Sequence, residues 1–219
     1  GLPTAKGSSE PISSAEVASE LADEIGYPVI IKAAAGGGGI GMQIVHAANE
    51  FEGALKLCQG RAKSAFGDDR VFVEKYIEGA QHVEFQVLAD GEKAIHFGER
   101  FCSIQRRHQK LIEEGPWLTD EKRAEVGALV CAGAESVGYK GLATFEFLRD
   151  KNGDFYFLEV NPRVQVEHTV TELITGYNLV ELGIRVAQGE SLPLTQDDVT
   201  IRGHAIQCRL NAEDTTNFV

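Results

Sequence analysis

No stretch of the 219 residues approaches the roughly 20 consecutive apolar residues that a membrane-spanning helix needs, so no membrane role is expected. The opening residues, Gly1-Leu-Pro-Thr4, resemble no signal or transit peptide. Cysteine is sparse: Cys58, Cys102, Cys131 and Cys208 are widely scattered, with neither metal-type spacing nor the density of a disulfide framework. Reduced thiols in a cytoplasmic compartment, or an organellar matrix, are therefore expected. Basic residues are in the minority, 21 Lys and Arg against 33 Asp and Glu, for a net charge of −12. That argues against general nucleic-acid binding, because a polyanion is repelled. The chain has no internal repeat, and its length suits one large domain or two small ones with an ample core.

Glycine is abundant, with 24 residues, and its densest run joins two strands. Val29–Lys32 and Gln43–His46 read as strands around Ala33-Ala-Ala-Gly-Gly-Gly-Gly-Ile-Gly-Met42. Gly36, Gly38 and Gly41 formally match G-x-G-x-x-G, but no helix follows, as a dinucleotide fold requires, and no Gly-Lys-Ser/Thr is present. What remains is a flap whose bare amides can close over phosphates, with Lys32 as a point charge at its base; a plain flexible hairpin tip is the alternative.

Around this loop, residues 1–12 read as an extended lead-in. Ser13 or Ser14 caps a helix Ala15–Ile25 that is stopped by Gly26 and has an apolar stripe of Val17, Leu21 and Ile25. Asn49 caps a helix to about Gln59, with Phe51, Leu55 and Leu57 as its apolar positions. Arg70–Ile77 reads as a strand, and His82–Leu88 pairs with Ile95–Arg100. Ser103-Ile-Gln-Arg-Arg-His-Gln-Lys110 is the one dense basic run. In so acidic a chain it suggests binding of a small anion, the alternative being a solvated surface turn. Thr119 or Asp120 caps a helix to about Val137, Thr171–Ala187 reads as another helix, and Gly203–Asn211 as a last strand carrying Arg209.

The chemistry concentrates in Phe155–Glu172. Ala143–Leu148 and the start of this stretch read as a hairpin around Asp150-Lys-Asn-Gly-Asp154. A two-residue turn at Asn152-Gly153 pairs Lys151 with Asp154 and, counting back along both strands, sets Glu146 opposite Glu159. Facing carboxylates have β-carbons roughly 4.5–5.5 Å apart and repel unless a proton or cation lies between them. Mg²⁺ suits such a pair, since it takes one or two carboxylates plus substrate phosphates and water. The other hairpin face, Phe145, Phe147, Tyr156, Leu158 and Val160, suits burial. Beyond Glu159 the same parity continues through Asn161, Arg163, Gln165 and Glu167 as one extended edge. The alternative is a surface hairpin with two solvated glutamates.

Taken together, Lys32 with the glycine flap, Glu74-Lys-Tyr-Ile77, His82-Val-Glu84, Cys102-Ser-Ile-Gln-Arg-Arg-His-Gln-Lys110, Phe145-Glu-Phe147, Glu159-Val-Asn-Pro-Arg-Val-Gln-Val-Glu-His168 and His204–Asp214 resemble the biotin carboxylase component of biotin-dependent carboxylases. The likeness spans nearly the whole chain. Carbamoyl phosphate synthetases share a similar Glu-x-Asn-x-Arg strand without the Gln165-Val-Glu-His168 continuation.

The resemblance implies an α+β, ATP-grasp fold: a small lid lobe (1–76) over a larger mixed or antiparallel sheet lobe (77–200), with 201–219 beginning a further, C-terminal domain. It implies ATP- and bicarbonate-dependent carboxylation of biotin through carboxyphosphate. Lys32, Gly37, Gly38 and Met42 would close over ATP, with Glu74, Lys75, Ile77 and His82 near its adenine. Mg²⁺ or Mn²⁺ would be held by Glu146, Glu159 and Asn161. Arg163, Gln165 and the Val166 backbone would bind bicarbonate, with Glu167 as general base. Gln105, His108 and Lys110 would face the phosphate and bicarbonate region, and Arg209 would stabilise the biotin enolate. The implied partners are a carboxyltransferase component and a biotinylated carrier, either domain or separate chain, with a homodimer in the full-length enzyme. Ile40, in place of the usual Lys or Arg, and Phe101, in place of Asp, depart from the family pattern. The competing expectations are an Mg-ATP-binding module without turnover and a non-catalytic scaffold.

Overall fold

The computed structural model describes residues 1–35, 41–106, 109–214 and 216. Gly37, Gly38, Ile40 and His108 lie outside the described residues. The chain divides into two compact units, Thr4–Gly79, and Gly1–Pro3 together with Ala80–Val219.

In the smaller unit, strands β1 (Val29–Ala33), β2 (Met42–Val45) and β3 (Val71–Lys75) form an antiparallel sheet in the order β2-β1-β3, accompanied by helices α1 (Ala15–Ile25) and α2 (Ala48–Phe66). Alternation along β1 and β3 buries Val29, Ile31, Val71 and Val73 against the helices and leaves Lys32 and Glu74 on the other face. The Ser14 hydroxyl caps α1, and Gly26, at φ 81°, ends it. The buried stripe of α1 is Ala18 and Ala22, with Leu21 and Ile25 beside it; Val17, expected in that stripe, is 52% exposed. The second helix starts at Ala48 with no side-chain cap, and it runs past Gln59 to Phe66, ending at the left-handed Gly67. Its buried positions Phe51, Leu55, Cys58 and Ala62 continue one helical stripe that excludes the expected Leu57.

The larger unit is a six-stranded antiparallel sheet of β4 (Gln81–Asp90), β5 (Ala94–Arg106), β6 (Gln109–Gly115), β7 (Lys140–Arg149), β8 (Phe155–Asn161) and β9 (Ala205–Cys208), in the order β8-β7-β4-β5-β6-β9. Helix α3 (Asp120–Ser136), capped by Thr119, packs Val126, Val130 and Ala134 against Val83, Phe85 and Val87. Helix α5 (Leu179–Ala187) packs Leu179, Leu182 and Val186 against Leu88, Ile95 and Phe97. Both faces of β4 are thus covered, and every residue from Val83 to Ala89 is buried, Glu84 and Gln86 included.

Several expectations are corrected here. Within the basic run, residues 103–106 end β5 and Gln109 and Lys110 open β6, with Gln105 opposite Lys110. The single helix expected over Thr171–Ala187 is two, α4 (His168–Thr175) and α5, because left-handed Gly176 ends the first and the Asn178 side chain accepts the Glu181 amide to start the second. In the larger unit, β9 pairs with β6.

The central hairpin has a different turn from the one expected. The Asp150 amide donates to Asp154 O at 2.9 Å, so Lys151, Asn152 and Gly153 form a three-residue loop. The Asp150 carboxylate organises this loop by accepting from the amides of Asn152 and Asp154, and Gly153 sits at φ 94°. The loop shifts the register by one, pairing Phe147 with Phe157 and Leu148 with Tyr156. A bulge between Glu146 and Phe147 takes the shift back, and Glu146 lies opposite Glu159 after all. The shift also changes which aromatics pack together. Phe155 and Phe157, not Tyr156 and Leu158, join Phe145 and Phe147 in the core.

His96 of β5 is buried beside α3, its ring pressed against Gly127, where no β-carbon fits. Burial pushes its imidazole from 6.5 down to about 4, with Glu99 opposing and Arg123 assisting. The fold therefore excludes a proton that the unfolded chain accepts. This contribution to stability is complete above about pH 6.5 and is lost as the pH falls toward 4. We predict that urea denaturation loses about 2 kcal/mol between pH 7 and pH 5, and that His96→Phe abolishes most of this loss. An equal loss in the variant would assign the acid sensitivity to another group.

Candidate functional site

Register alone builds the centre of the larger unit. Glu159 on β8 faces Glu146 on β7, Glu146 faces Glu84 on β4, and Glu84 faces Arg100 on β5. Three carboxylates thus stand in a row on neighbouring strands, an arrangement that repels without cations. Arg100, fully buried, donates from Nε to Glu84 Oε1 at 2.5 Å and from Nη1 to Gln86 Oε1 at 2.9 Å and Thr171 Oγ1 at 2.8 Å. Lys110 is the second cation. Its ammonium donates to Glu84 Oε2, to Glu146 Oε1 at 2.8 Å and to Glu167 Oε1 at 2.8 Å.

These contacts set the ionisation states. Burial alone would push Lys110 down, but Glu84, Glu146 and Glu167 hold it above its ordinary value. Burial opposes the charge on Glu146, which His82 and Lys110 nevertheless hold far below the carboxylate range. Glu167 is likewise lowered against its burial, mainly by Lys110. Cys102, buried close to Glu84, is pushed well up and stays a thiol.

Around this centre, Asn161 Nδ2 donates to Glu146 Oε1 at 3.0 Å and Glu159 Oε1 at 3.2 Å. Gln165 donates to Glu146 Oε1 at 2.9 Å, and its own Oε1 is buried without a partner among the described residues. His82 Nε2 lies 2.8 Å from Glu146 Oε2, close but not aligned as a hydrogen bond. Gln105 Nε2 donates to Cys102 O and to His82 Nδ1, which leaves the His82 ring proton on Nε2, facing Glu146. Among the described residues, His82, Glu84 and Glu146 bring ligand atoms within 4.8 Å of one another. The ammonium of Lys110 already bonds both of those carboxylates.

The edge beyond Glu159 is not extended as expected. Strand β8 stops at Asn161, the chain turns through Pro162, and Glu167 becomes the N-cap residue of α4. The Glu167 side chain makes no cap bond; it points to Lys110 and to Arg209, whose Nη2 is 2.9 Å from Oε2. Arg163 stays exposed, with Nη2 3.4 Å from Asn161 Oδ1, and Val166 is 62% exposed. Phe101 stacks on Trp117, their centroids 4.6 Å apart.

In the smaller unit, Lys32 and Glu74 form an ion pair on the face away from the core, with Met42 opposite Lys32. The Lys75 ammonium donates to Gly26 O at 2.8 Å, and Ile77 is half-buried. Sequence reasoning missed Glu84, Arg100, Thr171, Glu113 and Gln207. The available signal was polar residues alternating with apolar ones in His82–Leu88, a strand that the helices cover on both faces.

Comparison with known proteins agrees with this architecture. Residues 1–195 match the family model for the carbamoyl-phosphate synthase L chain, ATP binding domain. A pyruvate carboxylase subunit from Methanothermobacter thermautotrophicus is 54% identical over 98% of this chain and 44% of its own length. The biotin carboxylase of Nostoc is 52% identical over 98% of this chain and 48% of its own length. The crystal structure of a Campylobacter jejuni biotin carboxylase complex superposes with a TM-score of 0.94 at 48% identity, covering 100% of this chain and 49% of that one. The biotin carboxylase domain dimer of Hydrogenobacter thermophilus 2-oxoglutarate carboxylase, solved with MgADP, ADP and bicarbonate, gives 0.93 at 47% identity, covering 98% of this chain and 48% of that one. The chain spans less than half the length of each of these relatives. Among the described residues, no helix is long and apolar enough to cross a membrane. With its helices and antiparallel sheets in an α+β, ATP-grasp fold, the chain belongs to the carbamoyl-phosphate synthase L chain ATP-binding domain family.

Proposed function

We propose that this chain is the ATP- and bicarbonate-handling core of a biotin carboxylase, the part of a pyruvate, acetyl-CoA or propionyl-CoA carboxylase that carboxylates biotin on a carrier domain or subunit. The carrying observation is the row Glu159, Glu146, Glu84, with Lys110 bonded to its inner members and to Glu167.

The oxygen ligands of Glu146, Glu159 and Asn161 fit Mg²⁺ or Mn²⁺. Glu159 is exposed, faces a carboxylate kept ionised, and shares the Asn161 amide with it. When bound, the cation would supply positive charge to the transferred phosphoryl group. In the smaller unit, Lys32, Met42, Glu74, Lys75 and Ile77, with Gly37 and Gly38, would contact the nucleotide. In the larger unit, His82, Gln105 and His108 would do so.

Bicarbonate is a poor nucleophile and needs a base. Arg163, exposed, would hold its oxyanion together with the Val166 backbone. Gln165, whose Oε1 is buried without a partner among the described residues, would help to bind bicarbonate. Glu167 would take the proton, which its lowered pKa permits because the group is ionised at neutral pH. Attack of bicarbonate on the γ-phosphorus releases ADP and forms carboxyphosphate, which breaks to CO₂ and phosphate. Lys110 would face the phosphate and bicarbonate charge, and Arg209 would stabilise the enolate of biotin that takes up the CO₂. The dimeric state of one relative and the naming of another as one component of a larger carboxylase support a homodimer and a separate carboxyltransferase component in the intact enzyme.

The short span relative to these carboxylases is also consistent with a second reading, an Mg-ATP-binding unit that turns over only as part of a longer protein. Calorimetric titration of this chain with ATP in Mg²⁺ is expected to show saturable binding that Glu159→Gln weakens about tenfold or more. Equal affinities would remove the metal pair from the site. In the full-length enzyme, Glu167→Gln is expected to lower bicarbonate-dependent ATP cleavage about 10²-fold or more. An unchanged rate would take Glu167 out of the role of base. Nucleotide binding by this chain without ATP cleavage would favour the second reading.

A further inference from the structure

Glu113 lies on β6, directly opposite Gln207 of β9, and its side chain is fully buried. Its Oε1 accepts from Arg209 Nε at 2.7 Å, while the Nη2 of the same guanidinium donates to Glu167 Oε2 at 2.9 Å. Gln207 Nε2 reaches the other Glu113 oxygen at 3.4 Å, and Gln207 Oε1 accepts from Thr169 Oγ1 at 2.5 Å. Thr169 belongs to the first turn of α4, two residues after Glu167. The contacts close a ring from Glu167 through Arg209, Glu113 and Gln207 to Thr169, and back along the backbone to Glu167.

We propose that Glu113 is a positioning residue for biotin carboxylation: it grips the Nε edge of Arg209, and so aims the Nη edge at Glu167 and at the substrate. The inference rests on the reading of Arg209 given above. An arginine held only by its Nη groups would be free to swing about Nε. With Nε fixed, the guanidinium plane is set, and its outer nitrogens face one direction.

A purely structural role fits the surroundings less well. Arg209 keeps a quarter of its side chain in water and needs no buried counter-charge, yet Glu113 is completely enclosed. Burial raises the Glu113 pKa, Arg209 opposes this, and the neighbouring Glu167 and Glu84 carboxylates raise it further. An apolar side chain on β6 would avoid that repulsion, whereas a carboxylate retained there against it marks a functional constraint.

The test is a double-mutant cycle in the full-length enzyme, reading biotin-dependent turnover, its kcat and KM for free biotin, and the melting temperature. Glu113→Gln keeps the shape and removes the charge. It is expected to lower kcat/KM for biotin about tenfold while changing biotin-independent ATP cleavage less. Arg209→Gln should cost more, and adding Glu113→Gln to it should cost nothing further, because the residue acts only through Arg209. Glu113→Asp, which keeps the charge on a shorter arm, should recover part of the rate; it serves in the same cycle if Glu113→Gln does not fold. If Arg209→Gln is slow while Glu113→Gln matches the parent, or if the two losses multiply, the positioning role is overturned and Arg209 keeps its own. Full activity in Arg209→Gln would instead overturn the reading of Arg209, and this inference with it.

Discussion

Three carboxylates on one row of a β-sheet are the constraint on which the rest of the larger unit depends. Glu159, Glu146 and Glu84 occupy facing positions on β8, β7 and β4, and the inner two are buried. Such a row can fold only if cations reach it, because one buried unpaired carboxylate costs several kcal/mol. Arg100 arrives from the neighbouring strand and Lys110 from β6. The path of the chain follows from this need. Strand β6 must come back beside β5 to deliver Lys110, and α4 must start where Glu167 and Thr171 complete the shells of the two cations.

Much of this was legible because helix and strand signals are local. Ser14 and Thr119 cap helices as their positions suggest, and Gly26 ends one, whereas the stop at left-handed Gly176 was read through as continuous helix. The facing of Glu146 and Glu159 was legible for a partly wrong reason. The turn holds one residue more than Asn152-Gly153 requires, and the bulge beside Glu146 cancels the difference. Nothing in the sequence of β7 or β8 announces a bulge; it lies just beyond the shifted segment in which Phe155 and Phe157 join the aromatic cluster with Phe147.

The second half of the site was illegible for a related reason. Glu84 and Arg100 lie 16 residues apart, and Glu113 and Arg209 lie 96 apart. The first pair meets across the expected pairing of β4 with β5, in a register that a bulge between Phe85 and Val87 sets, and the second only once β9 is known to lie beside β6. A period-two pattern in His82–Leu88 says that one face is apolar; it cannot say that α5 covers the other. Of the residues read from the sequence, Arg163 and Glu159 are exposed and Glu146, Glu167 and Lys110 are buried, while the groups that were missed, Glu84, Arg100 and Glu113, are fully enclosed. Exposed groups are those a ligand reaches, and enclosed ones fix where the others point.

The site without ligand is electrostatically self-satisfied, and this bears on how a base works in it. Glu167 is held ionised mainly by Lys110, with Arg209 hydrogen-bonded to its other oxygen, which makes it available but weak, because the Lys110 charge lowers its affinity for a proton. On the proposed reading, the incoming anions compete for those cations: bicarbonate and phosphate oxygens offer Lys110 and Arg209 the same charge that Glu167 offers. As either cation turns toward the substrate, Glu167 loses a stabilising partner while remaining buried, and its basicity rises. The carboxylate would become a stronger base only when there is a proton to remove. Glu113 limits how far Arg209 can turn, since Nε stays fixed while the Nη groups change partner. The ring through Gln207 and Thr169 then ties that limit to the helix that carries Glu167 itself.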